Sequence, residues 1–150
     1  MQITPLQKLV ITRFKAANLD PAFGCSIIEH ESAWDPNARS APTASDEKYG
    51  GAWGLAQLLK ITAYKLGYTG APEGLFDPET NIDLFIKLTK QNIKTFKTTN
   101  TNDLIAMHNS GLPLSLLQRN SRRFANVVAY LDAVLKIYPK WESAVGDTVA

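Results

Sequence analysis

The sequence predicts a mainly α-helical fold with at most a small β-ribbon. Three observations carry that prediction. Apolar residues recur at helical spacing over several long segments. A capping residue followed directly by proline, a helix-start signal, occurs at Thr4–Pro5, Asp20–Pro21 and Asp77–Pro78. Alternating strand patterns are nearly absent, and turn residues cluster between the periodic segments. At 150 residues with 45% hydrophobic side chains, the chain suits one ordinary core, and residues 1–150 are read as one domain.

The first helix is expected over residues 4–18, with Leu6, Leu9, Val10, Phe14 and Ala17 on its apolar side. A second opens at Asp20–Pro21 and runs to about residue 33. Residues 34–51 change texture. Pro36, Asn37, Ser40, Pro42, Ser45, Asp46, Gly50 and Gly51 mark a long loop, the expected place for any ribbon. Residues 53–66 read as one or two short helices ending at Gly67. Asp77–Pro78 opens what is expected to be the longest helix, to about residue 96, with Ile82, Phe85, Ile86, Leu88, Thr89, Ile93 and Phe96 inward. Its lysines, Lys87, Lys90, Lys94 and Lys97, form a stripe best read as a solvated face. A further helix, with Asn102 as its cap, ends near Ser110–Gly111. The last starts at Ser121 and is expected to stop at Pro139.

Composition excludes several functions. No apolar run is long enough to span a bilayer, so no integral membrane segment is expected. The first residues lack the unbroken apolar centre of a secretory signal, which predicts a cytoplasmic protein or export without a cleaved signal. The lone cysteine, Cys25, rules out an internal disulfide and reads as a small buried hydrophobe. His30 and His108 are far apart and no metal-ligand spacing occurs, so neither a metal nor a cofactor is expected. A net charge of +2 is too small to suggest nucleic acid, and is compatible with an anionic polymer without selecting one.

One acidic residue stands out on the second helix. Gly24, Ile27, Ile28 and Glu31 share one face by their spacing, and that face must bury. A carboxyl there, just before a long polar loop, sits where core meets cleft. Desolvation disfavours its charged form and raises its pKa, as a glycosidase acid requires. Glu29 points elsewhere and is expected to be solvated. The helical wheel alone leaves Glu31 equally open to being a partly exposed glutamate with a local hydrogen bond.

The surrounding residues narrow this choice. The segment IIEHESAWDPNARS resembles the catalytic-glutamate motif of soluble lytic transglycosylases and goose-type lysozymes, through Glu31, Ser32, Trp34, Asp35, Pro36, Ala38 and Ser40. GAWGLAQLLKITAYKLG is similar to the family's Gly-Leu-Met-Gln block, through Gly54, Leu55, Gln57, Thr62, Ala63 and Gly67. LFDPETNIDLFIKLTKQNI resembles the segment in which Asn-Ile opens a long helix. AMHNSG resembles the Ala-Tyr-Asn-Ala-Gly block through Ala106, Asn109 and Gly111, and AYLDAVLKIY the late helix that supplies a tyrosine, here Tyr130. Each block alone is weak; their order along the chain gives the resemblance its weight. Two departures stand out: Ala56 replaces the usual methionine and His108 the usual tyrosine.

The resemblance implies a lysozyme-like domain acting on peptidoglycan glycan strands. It implies that Glu31 protonates the leaving oxygen of the β-1,4 bond between N-acetylmuramic acid and N-acetylglucosamine. Glu31 then takes the proton of the sugar's 6-hydroxyl, leaving a 1,6-anhydro end. A hydrolytic muramidase would want a second carboxylate, for which Asp46 and Glu47 are the candidates, both also readable as solvated loop charges. Ser32 and Tyr130 are expected to hydrogen-bond Glu31, or to be a helix-end serine and a core tyrosine. Gln57 and Asn109 suit acetamido and hydroxyl groups, or loop backbone. His108 offers stacking or hydrogen bonding to the sugar. Trp34, Trp53 and Tyr49 are candidate sugar-stacking rings, or core. A third possibility is a wall-binding component of a virion or secretion apparatus without activity. A monomeric phage lysin, released through a holin or carried on the virion, fits a compact chain without a signal.

Overall fold

The computed structural model describes residues 1–40 and 50–149. Asp46, Glu47 and Tyr49 lie outside the described residues. Among the described residues the architecture is mainly α-helical with one small hairpin, as expected from the sequence. Helix α1 spans Pro5–Ala16. Thr4 closes a capping box with Gln7, so both ends of that turn have their backbone N–H groups paired. Helix α2 spans Pro21–Ser32, and the Asp20 carboxylate accepts from the Ala22 N–H at 2.9 Å.

α2 is the central strut of the core. All eight residues from Pro21 to Ile28 are buried, and the helix packs against α1 and the last helix. Gly24 allows the close approach of α1: a Cβ there would come within 2.7 Å of the Phe14 ring. Phe14, Phe23 and Phe85 meet at centroid distances of 5.2 to 6.4 Å in tilted and edge-to-face arrangements. Cys25 is buried among them, and burial pushes its thiol up to about 12.

Strands β1 (Ala52–Trp53) and β2 (Leu58–Leu59) pair antiparallel, and Arg39 bridges to Trp53 on the outer side. Among the described residues the ribbon thus lies at 52–59, beyond the loop where it was expected, and residues 53–66 are not simply helical. Gly54 (φ 76°) and Gln57 (φ 50°) both take left-handed backbone conformations, which fold the chain back where a helix would continue. Helix α3 (Lys60–Lys65) follows directly, then a 3₁₀ turn at Pro72–Phe76.

Helix α4 covers Pro78–Phe96, with Asp77 accepting from the Thr80 N–H at 3.0 Å. Its four stripe lysines are exposed. Helix α5 (Thr101–Ser110) is capped by Asn100, not Asn102. Thr98 donates to Asp103 and accepts from the Asn100 N–H, which sets the turn so that Asn100 Oδ1 meets the Asn102 and Asp103 N–H groups. Gly111 (φ 79°) ends α5.

After a 3₁₀ turn at Leu114–Leu116, helix α6 runs over Arg122–Val149. It has 28 residues against 19 in α4, so it is the longest helix. Ser121 caps it through the Phe124 N–H at 3.0 Å. Pro139 does not stop α6. A proline here removes one helical hydrogen bond and crowds the Leu135 carbonyl. The residues beyond it are anchored nonetheless: Trp141 is 1% and Ala144 6% exposed. Among the described residues no helix is long and apolar enough to cross a membrane.

Candidate active site

Glu31 sits in the last turn of α2. Immediately after it Ala33 (φ 51°) and Trp34 (φ 67°) both adopt left-handed backbone and turn the chain off the helix axis. The Glu31 side chain faces a cleft of about 300 Å³. Ser40, Ala52, Gln57 and Leu59 form the hairpin side of this cleft, and His108 and Asn109 on α5 the other. The Glu31 side chain is 21% exposed, enough to reach a ligand but not to be freely hydrated. Burial raises it from 4.5 to about 7, so near neutral pH an appreciable fraction carries a proton. Among the described residues no hydrogen bond reaches it, and no other carboxyl lines the cleft.

His108 explains why no cation counters that shift. Its Nε2 lies 2.9 Å from the Ala56 carbonyl and 3.9 Å from Glu31 Oε2. A carbonyl can only accept, so Nε2 carries the hydrogen and donates it to Ala56. The ring is 5% exposed and rests edge-on against Phe85 at 4.9 Å. Burial pushes the imidazole down to about 4, so it is neutral where Glu31 titrates. The contact is thus a neutral ring beside a carboxyl, not an ion pair.

The hairpin wall is held by a residue that the sequence reading did not single out as part of the site. Asn81, fully buried at the start of α4, donates to the Trp53 and Leu75 carbonyls at 2.9 Å each and accepts from the Ala56 N–H at 2.9 Å. A Cβ at Gly54 would stand 2.4 Å from both Asn81 Nδ2 and the Leu75 oxygen, so glycine is required there. The available signal was spacing: position 81 shares the inward face with Phe85 and Leu88, an odd place for an amide. Ser40 closes the outer edge of the wall, exchanging hydrogen bonds with Ala52 at 3.0 and 3.1 Å.

Gln57 lines the cleft, but both bonds from its amide nitrogen go to backbone, Ala38 O at 3.0 Å and Gly54 O at 2.9 Å. That leaves its carbonyl oxygen for a ligand. Asn109 lines the cleft and is exposed. Tyr130 on α6 has a buried hydroxyl with no partner among the described residues, and its ring meets His30 edge-on at 4.9 Å. Burial and the nearby Glu31 charge both push the phenol up, so it stays protonated. The expected Tyr130–Glu31 hydrogen bond is not formed, although the two groups sense one another.

Three other expectations are corrected. Ser32 donates to the Ile28 carbonyl at 3.0 Å and does not bond Glu31, the usual outcome for a serine bonded back along its own helix. Trp34 packs against Trp141 at 5.4 Å and lines no part of the cleft. Trp53 is 9% exposed, with its indole N–H on Gly50 O at 2.8 Å, Arg39 over its face at 3.9 Å and Phe76 at 5.3 Å. The Trp53 indole is therefore not open for sugar stacking, and the half-buried Trp34 packs toward α6, away from the cleft. Glu29 is also not simply solvated: Lys140 Nζ approaches it at 2.7 Å and Trp141 Nε1 at 3.2 Å.

A family model described as the transglycosylase SLT domain matches residues 8–143. The chain belongs to this family. It is also 34% identical over 91 residues to a transglycosylase of Enterobacteria phage PRD1, an alignment covering 61% of this chain and 29% of that protein. Two solved structures share its fold. One is the 70-kDa soluble lytic transglycosylase of Escherichia coli, with a TM-score of 0.71 and 20% identity over 93% of this chain and 24% of the other. The second is a 70-kDa soluble lytic transglycosylase in complex with bulgecin A, with a TM-score of 0.57 and 21% identity over 92% of this chain and 22% of the other. The SLT-domain chain thus spans about a quarter of those proteins.

Proposed function

We propose that this SLT-domain chain is a lytic transglycosylase. It cleaves the β-1,4 bond between N-acetylmuramic acid and N-acetylglucosamine in peptidoglycan and leaves a 1,6-anhydro end. The observation that carries the reading is one desolvated carboxyl, Glu31 at about 7, alone among the described acids in lining a cleft between helix and hairpin. Glu31 in its acid form gives its proton to the bridging oxygen as the C1–O4 bond breaks. The muramic C1 becomes oxocarbenium-like. The carboxylate left behind takes the proton of the C6 hydroxyl as O6 closes onto C1, which restores the acid and consumes no water. A single carboxyl serves both steps, and neutral His108 leaves that acid undepressed.

Gln57 Oε1 and the Asn109 amide are the groups that receive the sugar's acetamido and hydroxyl functions. The likeness to the phage PRD1 transglycosylase supports a role in opening the bacterial wall during a phage cycle. We infer that the chain acts as one domain and as a monomer, which sedimentation would test. Digestion of purified peptidoglycan followed by mass spectrometry tests the chemistry. Anhydro ends are expected, and reducing ends would make the protein a hydrolytic muramidase. Activity of Glu31→Gln equal to the parent's would show that Glu31 is not the acid. A parent without activity that still binds wall would be a non-catalytic component.

A further inference from the structure

Ala56 and His108 are the two residues at which this chain departs from the pattern that its sequence resembles, and in the structure they meet. The His108 Nε2–H donates to the Ala56 carbonyl at 2.9 Å, and the same nitrogen stands 3.9 Å from Glu31 Oε2. One N–H therefore has two acceptors around it, one bonded and one just beyond bonding range. Nε2 has to move only about 1 Å to reach the second. The Ala56 peptide does not depend on the ring alone, because its own N–H is held by Asn81 Oδ1 at 2.9 Å. The hairpin wall thus stays in place while its carbonyl shares a donor. Among the described residues, the other titratable groups on this side of Glu31 are Tyr130, which stays protonated, and His30 against the Tyr130 ring, which burial lowers. The hairpin side of the cleft presents none, and α4 meets the imidazole through Phe85.

Which acceptor the N–H prefers depends on the charge of Glu31. A protonated carboxyl is a neutral acceptor and competes poorly with an amide carbonyl. A carboxylate accepts a bond roughly twice as strong. One N–H can also serve two oxygens in a three-centre bond. We propose that His108 is a positioning residue for Glu31: its Nε2–H stays on Ala56 while Glu31 is an acid, and is shared with the carboxylate once the proton has passed to the leaving oxygen. The imidazole keeps its own proton throughout, so nothing is transferred to or from it. The shared bond fixes Oε2 and leaves Oε1 to take the proton of the C6 hydroxyl. The inference rests on the acid-and-base role given to Glu31 above, and adds the group that holds the carboxylate between the two steps.

The test follows the pH dependence of kcat/KM on peptidoglycan in the parent, His108→Phe and His108→Gln. Phenylalanine keeps a ring against Phe85 and donates nothing, whereas glutamine keeps a neutral N–H. Losing the donor withdraws a bond from the carboxylate and not from the acid. His108→Phe is therefore expected to move the alkaline limb up by about one pH unit and to lower kcat about tenfold, with KM nearly unchanged. His108→Gln is expected to bring the limb back toward the parent's. A role in the wall alone predicts the opposite sign, because water admitted past a loosened hairpin brings Glu31 down toward an ordinary carboxylate. A limb that falls or stays in place in His108→Phe would overturn the proposal, and so would a folded His108→Gln that behaves like His108→Phe. Heteronuclear NMR of the histidine rings needs neither substrate nor cleavage. His108 is expected to remain the Nε2–H tautomer, with an N–H resonance that moves as Glu31 ionises in the parent and not in Glu31→Gln. No movement in the parent, equal movement in Glu31→Gln, or a second proton on the ring near neutral pH would overturn the inference even in an active enzyme. Movement in a protein that cleaves no polymer would support the shared bond while removing the catalytic role of Glu31.

Discussion

Glu29 and Glu31 stand two residues apart on α2 and face different surroundings. Glu29 turns toward α6, where Lys140 and the Trp141 indole both contact its carboxylate. Glu31 turns toward the hairpin, where its nearest basic group is an imidazole already committed to the Ala56 carbonyl. Their side chains are 24% and 21% exposed, so accessibility does not separate them. The partner does. Glu29 makes a structural ion pair with the last helix, whereas Glu31 faces neutral surfaces, and burial there raises it to about 7.

The largest expected effect follows from exchanging each acid for its amide. Glu31→Gln is expected to lower kcat on peptidoglycan by about 10²- to 10⁴-fold, the range for losing a positioned acid and base. Glu29→Gln is expected to stay within about threefold of the parent, since it loses one partly exposed ion pair. Turnover assays of the two variants side by side make the measurement. Comparable losses in both would mean that the environments of the two glutamates do not divide them into structural and catalytic roles.

The next effect is reached through the wall that keeps water from Glu31. Asn81→Ala removes three buried hydrogen bonds, two that it donates to the Trp53 and Leu75 carbonyls and one that it accepts from the Ala56 N–H. The expected cost is about 3 to 4 kcal/mol in a denaturant titration. The released hairpin also lets water reach Glu31, so the alkaline limb of kcat/KM, expected near 7 in the parent, moves down toward an ordinary carboxylate. A variant that is destabilised but keeps its limb in place would show that the desolvation comes from the helices alone.

Much of this arrangement was legible in the sequence, and the illegible parts share a cause. Thr4, Asp20 and Asp77 announce three helix starts because a cap is satisfied within three residues of itself. The position of Glu31 on the buried face of α2 is likewise a matter of local period. The hairpin was hidden because Asn81, 25 residues beyond Ala56, makes the bonds that hold it. Pro139 was misread because its local penalty is outweighed by the burial of Trp141, which meets Glu29 on α2 and Trp34 just beyond it. The role of His108 depends on a carbonyl 52 residues away. Trp34 and Trp53 had the right composition for a sugar site, but only packing could show that Trp53 is buried and that Trp34 lies against Trp141 outside the cleft.

Protonation links the comparison to stability. The Glu31 carboxyl has its pKa raised in the folded protein, from 4.5 to about 7. The unfolded chain therefore ionises more readily, and stability falls as pH rises from about 4.5 to about 7, then levels. Above that window Glu31→Gln is expected to be more stable than the parent, by roughly 2 to 3 kcal/mol. At pH 4, where both carboxyls are protonated, the difference is expected to vanish. Thermal melts at pH 4 and pH 8 measure it, and an equal gain at both would assign the effect to packing and remove proton linkage as its cause.

The smallest effect concerns the Glu29 side. Lys140 is about half exposed, so its pair with Glu29 is weakened by solvent and salt, and Lys140→Ala is expected to cost about 0.5 to 1 kcal/mol. The Trp141 indole N–H remains on Glu29 after that substitution, so the carboxylate keeps one donor and the end of α6 stays docked past Pro139. Raising the salt concentration should erase most of the difference between Lys140→Ala and the parent. It should leave the Glu31→Gln gain at pH 8 nearly unchanged, because burial causes that gain and dissolved ions do not screen it. A Lys140→Ala deficit that persists in high salt would mean that the lysine stem, packed along Trp141, contributes more than its charge.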